Sequence, residues 1–396
     1  MDQTPLTGVT VLDLSTTVAG AYAGKLLAGY GAGVVMVEAP TGSPVRSRPP
    51  LVDGGNGVAP EGTLFRFLGA GKRSVALDLE AGGVRDALEA LARDADVLID
   101  TRQPRELGAL PLSYDELREV NPQLVIVSLT PFGLSGPYAD YRATALQLAA
   151  AGGWLTHSGE PGRPPLMPNS ETLEEFFPGT MGAIAALTGL RAVRDGANGP
   201  LIEVAGIEVL QFATRYYETS YVSTGTEFGR SGNSLNGSPT YRVFDATDGH
   251  IVSTASTSTQ IELLMTLTET ADLGLGTREQ RYEGSDALIA GLGAWFEKRA
   301  RDESFHSAQS WRIPFASVSR ISEVANLDQP VERGSFDRVE TTSGELRPAP
   351  GPPVRLHGDA ATLPPTPRIG EHTHEVLGAL GLDASVIEAL ATAGAR

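Results

Sequence analysis

Cysteine is absent from the 396 residues, which removes a disulfide framework, thiolate zinc sites and a cysteine nucleophile; covalent chemistry must use oxygen or nitrogen. Lysine is scarce as well. Lys25, Lys72 and Lys298 are the three present, so the remaining positive charge is arginine, whose guanidinium can grip phosphate with two parallel hydrogen bonds. Positive charge is also short overall: the net charge is −17. Nucleic acid and anionic membrane both favour basic patches, so neither is expected as a partner. A phosphorylated small molecule is still allowed, because a few arginines or a helix N-terminus suffice to hold one. No run of about 18 apolar residues occurs, and the N-terminus MDQTPLTG lacks a basic region followed by an apolar one. A cytoplasmic protein is expected.

The length exceeds one ordinary domain, and two are expected. The first part of the chain alternates as an α/β layer. Strands are predicted at Val9 to Ser15, Gly33 to Pro40, Lys72 to Leu79, Ala95 to Asp100 and Leu124 to Thr130. Helical patterns at Ala19 to Gly31, Gly83 to Ala95 and Ser113 to Asn121 separate them, which implies an open parallel sheet with right-handed crossovers. Such sheets bind nucleotide-like ligands beyond the carboxyl ends of their strands. The first βα turn, STTVAGAYAG, lacks the G-x-G-x-x-G spacing of a dinucleotide site, and Gly20 and Gly24 are also explained by tight helix packing. A long helical pattern from Glu203 to Thr219 follows, then a polar loop, GRSGNSLNGSP, and two strands across a turn at Asp248–Gly249. The stretch from Pro330 to Pro367 reads as an extended connector, and two helices from Thr373 and Ala384 close the chain. The division expected is a Rossmann-like domain over residues 1–197 completed by 366–396, a linker helix over 198–227, a smaller α+β domain over 228–325 and an extended linker over 326–365.

The segment PNSETLEEFFPGTMGAIAALTGLRAVR (168–194) joins a carboxylate cluster to a helix rich in small residues. Pro178 and Gly179 are read as its entry, placing Glu171, Glu174 and Glu175 upstream of, or in, the first turn. A helix N-terminus favours an ionised carboxylate, the form a nucleophile or base needs; acidic residues in first turns also serve as plain dipole partners, and both readings stay open.

Several stretches together resemble the class III CoA-transferase family, the group containing formyl-CoA transferase, carnitine CoA-transferase and α-methylacyl-CoA racemase. They are LTGVTVLDLSTTVAGAYAGKLLAGYGAGVVMVEAP, GKRSVALDL, ADVLIDTRQP, LSYDELREVNPQLVIVSLTPFGLSGPY, DGHIVSTA, LDQPVERGSF and IGEHTHEVLGALGL, in the family's order. The resemblance implies an α/β fold, an interlocked-ring homodimer with a site between domains, and acyl-CoA and a carboxylic acid as substrates, with coenzyme A as cosubstrate and no permanently bound cofactor. It also implies Glu175 as the catalytic carboxylate, where the transferases have Asp. For CoA it suggests Val18, Ala19, Lys72, Arg73, Thr101, Arg102, Arg105 and Arg142, and for the loop over the site Gly232 and Gly237. Departures are plain: Thr101-Arg102 replaces a common Asn-Phe, Ala109 an Arg, and consecutive loop glycines are missing. For the arginines, ordinary solvated surface is an equal reading. Phe176, Phe177, Trp154, Tyr216 and Tyr217 are read as acyl-site lining or as core. No histidine lies at Tyr141 to Gln147, where a racemase of this family carries one; His157 lies further on, and none of His250, His372 and His374 has metal-ligand company. Proton transfer on an acyl-CoA, or a subunit partnering an active paralogue, remain the alternatives to CoA transfer.

Overall fold

The computed structural model describes residues 4–52, 60–79, 81–108, 111–167, 173–340, 346–355 and 363–392. The chain forms two compact units, Met1–Gly152 with Asn169–Thr214 and Asp328–Arg396, and Gly153–Pro168 with Arg215–Leu327.

The first unit is built on six parallel strands, β1 (Thr10–Asp13), β2 (Gly33–Glu38), β3 (Lys72–Ala76), β4 (Val97–Asp100), β5 (Val125–Thr130) and β6 (Leu201–Ala205), in the order 3-2-1-4-5-6. The runs of Val, Ile and Leu suit strands covered on both faces. The register aligns Val34, Val11, Val97 and Val125 in one row and Val35, Leu12, Leu98 and Ile126 in the next. Because successive side chains point to opposite faces, the rows feed different cores. The second meets helices α2 (Val84–Asp94) and α3 (Tyr114–Val120) and the closing pair α5 (Thr373–Ala379) and α6 (Ala384–Thr392). The first meets α1 (Val18–Gly29) and α4 (Leu173–Arg194).

Helix α4 starts a turn earlier than Pro178 and Gly179 suggested, and Pro178 lies inside it. Lacking an N–H, Pro178 leaves the Glu174 carbonyl without its helical donor, which is tolerable so near an N-terminus. By length and composition α4 could cross a membrane. Its glycines are instead committed to packing: a Cβ on Gly179 would stand 2.6 Å from the Ala19 carbonyl oxygen, one on Gly182 2.6 Å from Leu129, and one on Gly189 2.3 Å from Val125.

The helix expected over Glu203 to Thr219 is not continuous: Leu201–Ala205 is edge strand β6, and two helices follow, Gly206–Ala213 and Arg215–Thr224. The connector from Pro330 also carries structure, a hairpin of Phe336–Glu340 with Leu346–Pro350. Its proline-rich remainder is tied down by the Tyr30 hydroxyl, which donates to the Val354 carbonyl (3.2 Å), by the Thr366 hydroxyl on the Arg66 carbonyl (2.7 Å) and by the Gly71 N–H on the Pro364 carbonyl (2.9 Å).

The second unit contains a three-stranded antiparallel sheet, with Tyr241–Ala246 and Gly249–Thr254 forming the expected hairpin and Phe315–Ser317 pairing on its far side. Phe244, Ile251, Leu264, Leu292 and Phe296 make its core.

Candidate active site

The strand order reverses between β1 and β4, the crevice where doubly wound sheets place ligands. Thr16 donates its N–H to the Thr101 hydroxyl at 3.0 Å, joining the two strand ends. Gly20 makes the closure fit, since a Cβ there would stand 2.3 Å from the Ser15 Cβ and 2.6 Å from the Thr101 methyl. Thr17 caps α1, which starts at Val18.

Onto that N-terminus comes Glu175. Gly179 lets α4 touch α1 at backbone distance, and one turn before it, on the same helix face, Glu175 extends to the Val18 N–H, which donates to Oε2 at 3.1 Å. Oε1 is paired with Arg48 Nη1 at 2.9 Å. The two donors complement an anion: one is an unpaired first-turn N–H at the positive end of a helix, the other a guanidinium. Glu175 keeps 18% of its side chain exposed, whereas Glu174 is 2% exposed and its Oε2 is buried without a partner. Glu171 lies outside the described residues. Phe176 packs edge-on against Tyr22 (4.6 Å between centroids), while Phe177 is exposed.

Arg48 had no place in the sequence reading, because 40–62 presented as a Gly/Pro-rich loop. Its position is set by Arg46, a buried guanidinium that donates to both oxygens of Glu38 (2.7 Å each), to Glu61 (2.6 Å) and to the Pro367 carbonyl (3.0 Å). Glu38 also accepts from the Ser43 N–H, which pins the loop behind the strand it leaves. Burial holds the Glu61 carboxyl above its ordinary range, with Arg46 opposing. The signal available in the sequence was the pair of arginines in RSR, in the loop that follows the strand ending at Glu38.

The residues suggested for CoA fall into three settings. Val18 and Ala19 are at the Glu175 helix terminus. Lys72 is not a phosphate ligand here: its ammonium is fully buried, paired with Asp13 (2.8 Å) and donating to the Ala21 carbonyl (2.8 Å), and Gly24 is needed to make room for it. Arg73, the next residue on β3, points to the opposite face, 3.8 Å from Glu375. The third setting is the end of β4. Asp100, fully buried, accepts from the Arg102 N–H (3.0 Å), Arg102 Nε (2.9 Å) and the Tyr114 hydroxyl (3.1 Å). Burial and the Asp100 charge push the Tyr114 hydroxyl up, so it stays a donor. Arg105 donates its N–H to Asp140 (2.9 Å) and Nη2 to Gln103 (3.2 Å), and Arg142, 80% exposed, reaches Glu106 (3.2 Å). Thr101, Arg102, Arg105 and Arg142 thus gather beyond β4; Ala109 lies outside the described residues.

In the second unit Gly232 and Gly237 both adopt left-handed φ, +61° and +74°, which explains the residue type. The Gly232 N–H donates to the Gly159 carbonyl (3.0 Å), tying that loop to the segment carrying His157. His157 stacks on Tyr217 with 3.7 Å between centroids, beside Tyr216 and Phe228, and burial lowers its pKa. His250 lies against Asp245, His372 accepts from the Ser74 N–H and His374 faces Glu388.

Comparison with known proteins gives one answer throughout. The sequence pattern of CoA-transferase family III matches residues 6–373. Succinate–glutarate CoA-transferase of Agrobacterium fabrum is 27% identical over 389 residues, 95% of this chain and 96% of that protein. Acetyl-CoA:oxalate CoA-transferase of Acetobacter aceti is 26% identical over 374 residues, 93% of each. A CaiB/BaiF family protein from Brucella suis superposes with a TM-score of 0.85 at 26% identity, covering 96% of this chain and 100% of that one. The chain therefore belongs to CoA-transferase family III, enzymes that move CoA from an acyl-CoA to a carboxylic acid.

Proposed function

We propose that Glu175 is the nucleophile of this transfer. One Glu175 oxygen attacks the thioester carbonyl carbon, the C–S bond breaks, and CoA leaves as thiolate from a mixed anhydride. The thiolate then attacks the Glu175 carbonyl carbon, releasing the first acid as carboxylate and leaving CoA on the enzyme as a thioester. The incoming acid reverses the sequence. The observation that supports this reading is the contrast between neighbours: Glu175 is part-exposed and aimed at a helix N-terminus beside a guanidinium, and Glu174 is buried. Val18 and Ala19, and the group Thr101, Arg102, Arg105 and Arg142, are proposed to hold CoA, the arginines as partners for its phosphates. CoA passes through as substrate, and no resident cofactor is invoked; the enzyme is proposed to work in the cytoplasm. Gly232 and Gly237 are proposed to let their loop shield the anhydride from water.

A homodimer is proposed as the working form. The first unit contains a cleft of about 1200 Å³ between α1 and the proline-rich connector, lined by Tyr22, Lys25, Phe67, Pro350 and Pro364, which suits a segment of a second copy. The decisive experiment is intact-protein mass before and after incubation with a panel of acyl-CoAs, for wild type and Glu175→Gln. An acyl- or CoA-sized adduct absent from the variant is the expected result. An adduct that persists in Glu175→Gln, or none in active wild type, refutes the assignment.

A further inference from the structure

We propose that Tyr138 and Tyr141, on the loop that follows β5, seat the adenine ring of CoA, with Arg105 and Arg142 beside them for its 3′-phosphate. This rests on the reading that CoA lies beyond β4, and it is independent of the role of Glu175. The two rings stack with 5.2 Å between centroids and 25° between planes, and Phe132 braces Tyr138 edge-on at 5.8 Å. Stacking covers part of each ring, yet Tyr138 and Tyr141 stay 53% and 58% exposed. Two large side chains ordered against each other in solvent lose rotamer freedom while burying little apolar surface, and a flat ligand laid on the pair would supply the missing burial.

The loop is held firmly. Ala139, between the tyrosines, is buried, the Tyr141 N–H donates to the Tyr138 carbonyl at 2.8 Å, and Asp140 accepts the Arg105 N–H at 2.9 Å. Gln103, 4% exposed on the turn after β4, joins the two parts of the seat: its amide nitrogen donates to the Tyr141 carbonyl, and its amide oxygen accepts from Arg105 Nη2 at 3.2 Å. One buried side chain therefore fixes the aromatic loop and a guanidinium to each other. Arg142, next after Tyr141, meets Glu106 Oε1 at 3.2 Å, while Glu106 Oε2 accepts the Gln103 N–H. A guanidinium carries five N–H donors, and these contacts engage one on each arginine side chain, so a phosphate can be added without breaking them. Within CoA, the nucleotide end alone combines a flat heterocycle with a phosphate on a separate arm, which is the combination that this ring pair and its arginines complement. The position agrees, because both loops leave the carboxyl ends of adjacent strands, where doubly wound sheets take nucleotides.

The test measures binding to the full chain by calorimetry, with CoA, 3′-dephospho-CoA and 4′-phosphopantetheine, which lacks the nucleoside, as probes. Base stacking on an aromatic side chain is worth roughly 5- to 150-fold in affinity, so Tyr141→Leu should raise the Kd of CoA by about tenfold or more and that of 4′-phosphopantetheine by less than about twofold. Tyr141→Trp, which offers a wider ring, should restore CoA binding. Arg105→Gln should weaken CoA by about tenfold and 3′-dephospho-CoA by much less. A CoA Kd unmoved by Tyr141→Leu, or an equal loss for CoA and 4′-phosphopantetheine, overturns the adenine seat; an equal loss for CoA and 3′-dephospho-CoA in Arg105→Gln overturns the phosphate assignment. Tyr138→Leu carries the ring test if Tyr141→Leu does not fold. If neither ring nor arginine variants weaken CoA, the placement of CoA beyond β4 has failed as well; if Arg105→Gln alone does so, that placement stands and the tyrosine seat is refuted.

Discussion

Gly179→Ala tests how Glu175 is placed. The added methyl would lie 2.6 Å from the Ala19 carbonyl oxygen and 3.1 Å from the Tyr22 Cβ, against 3.4 Å for ordinary contact. The nearest obstacle is backbone, so α4 must move off α1 by a large fraction of an ångström. Overpacking of this kind costs about 1–3 kcal/mol, of which the better helix propensity of alanine returns at most about 1. A net loss of about 1–2 kcal/mol is expected. The same displacement carries Glu175 away from the Val18 N–H, and misplacement approaching 1 Å costs about 100-fold in rate, so adduct formation should slow by roughly 10- to 100-fold. Gly293→Ala is the control: it is also mid-helix, but nothing lies within 4 Å of its added methyl, and it should gain about 0.5–1 kcal/mol. Urea unfolding and stopped-time mass spectrometry on both variants decide the matter. If Gly179→Ala is stabilised like Gly293→Ala and loads at the wild-type rate, close approach of the two helices is not what positions the carboxylate.

Lys72→Met should lose about 3–5 kcal/mol in urea unfolding, because it leaves the Asp13 charge buried and unpaired; a variant of normal stability with weakened CoA binding would return Lys72 to the phosphates. Acid sensitivity should arise in both units. Glu116, bonded to Ser113 and Arg85, and Glu323, bonded to Arg301 and Arg320, are each lowered from 4.5 to about 2. Carboxyls depressed on folding contribute stability that is full above pH 4.5 and disappears as pH falls toward 2, since the unfolded chain takes up protons first. Arg301→Gln should therefore flatten the pH dependence of unfolding over that range, followed by circular dichroism; an unchanged slope would show that Glu323 does not contribute.

Much of the first unit was legible because its strands are short β-branched runs covered on both faces, a pattern few other elements share. Strand β6 escaped for the opposite reason. As an edge strand, LIEVA exposes Leu201 and Glu203, and its spacing runs on into the helix from Gly206 without a break. Pro178 misled because proline in a first turn usually marks N1, whereas here the missing N–H falls on the Glu174 carbonyl. Lys72 and Arg73 are both suggested for CoA by resemblance, but as successive strand residues they must face opposite sides of the sheet, so one phosphate site cannot use both. Arg48 could not be paired with a carboxylate 127 positions away by any local rule.

The bond from Arg46 to the Pro367 carbonyl spans 321 residues, and the Ser74 hydroxyl meets the Gly370 N–H across 296. A chain emerging from the ribosome at about 5–20 residues per second makes the Arg46 loop and then waits roughly 15–60 seconds for the segment that packs behind it. During that interval the sheet can form and Glu38 and Glu61 can already hold Arg46, while its bond to the Pro367 carbonyl is still unmade. The segment around Pro367 is thus the last of the Arg46 partners to arrive, closing from behind a loop whose other fastenings are local.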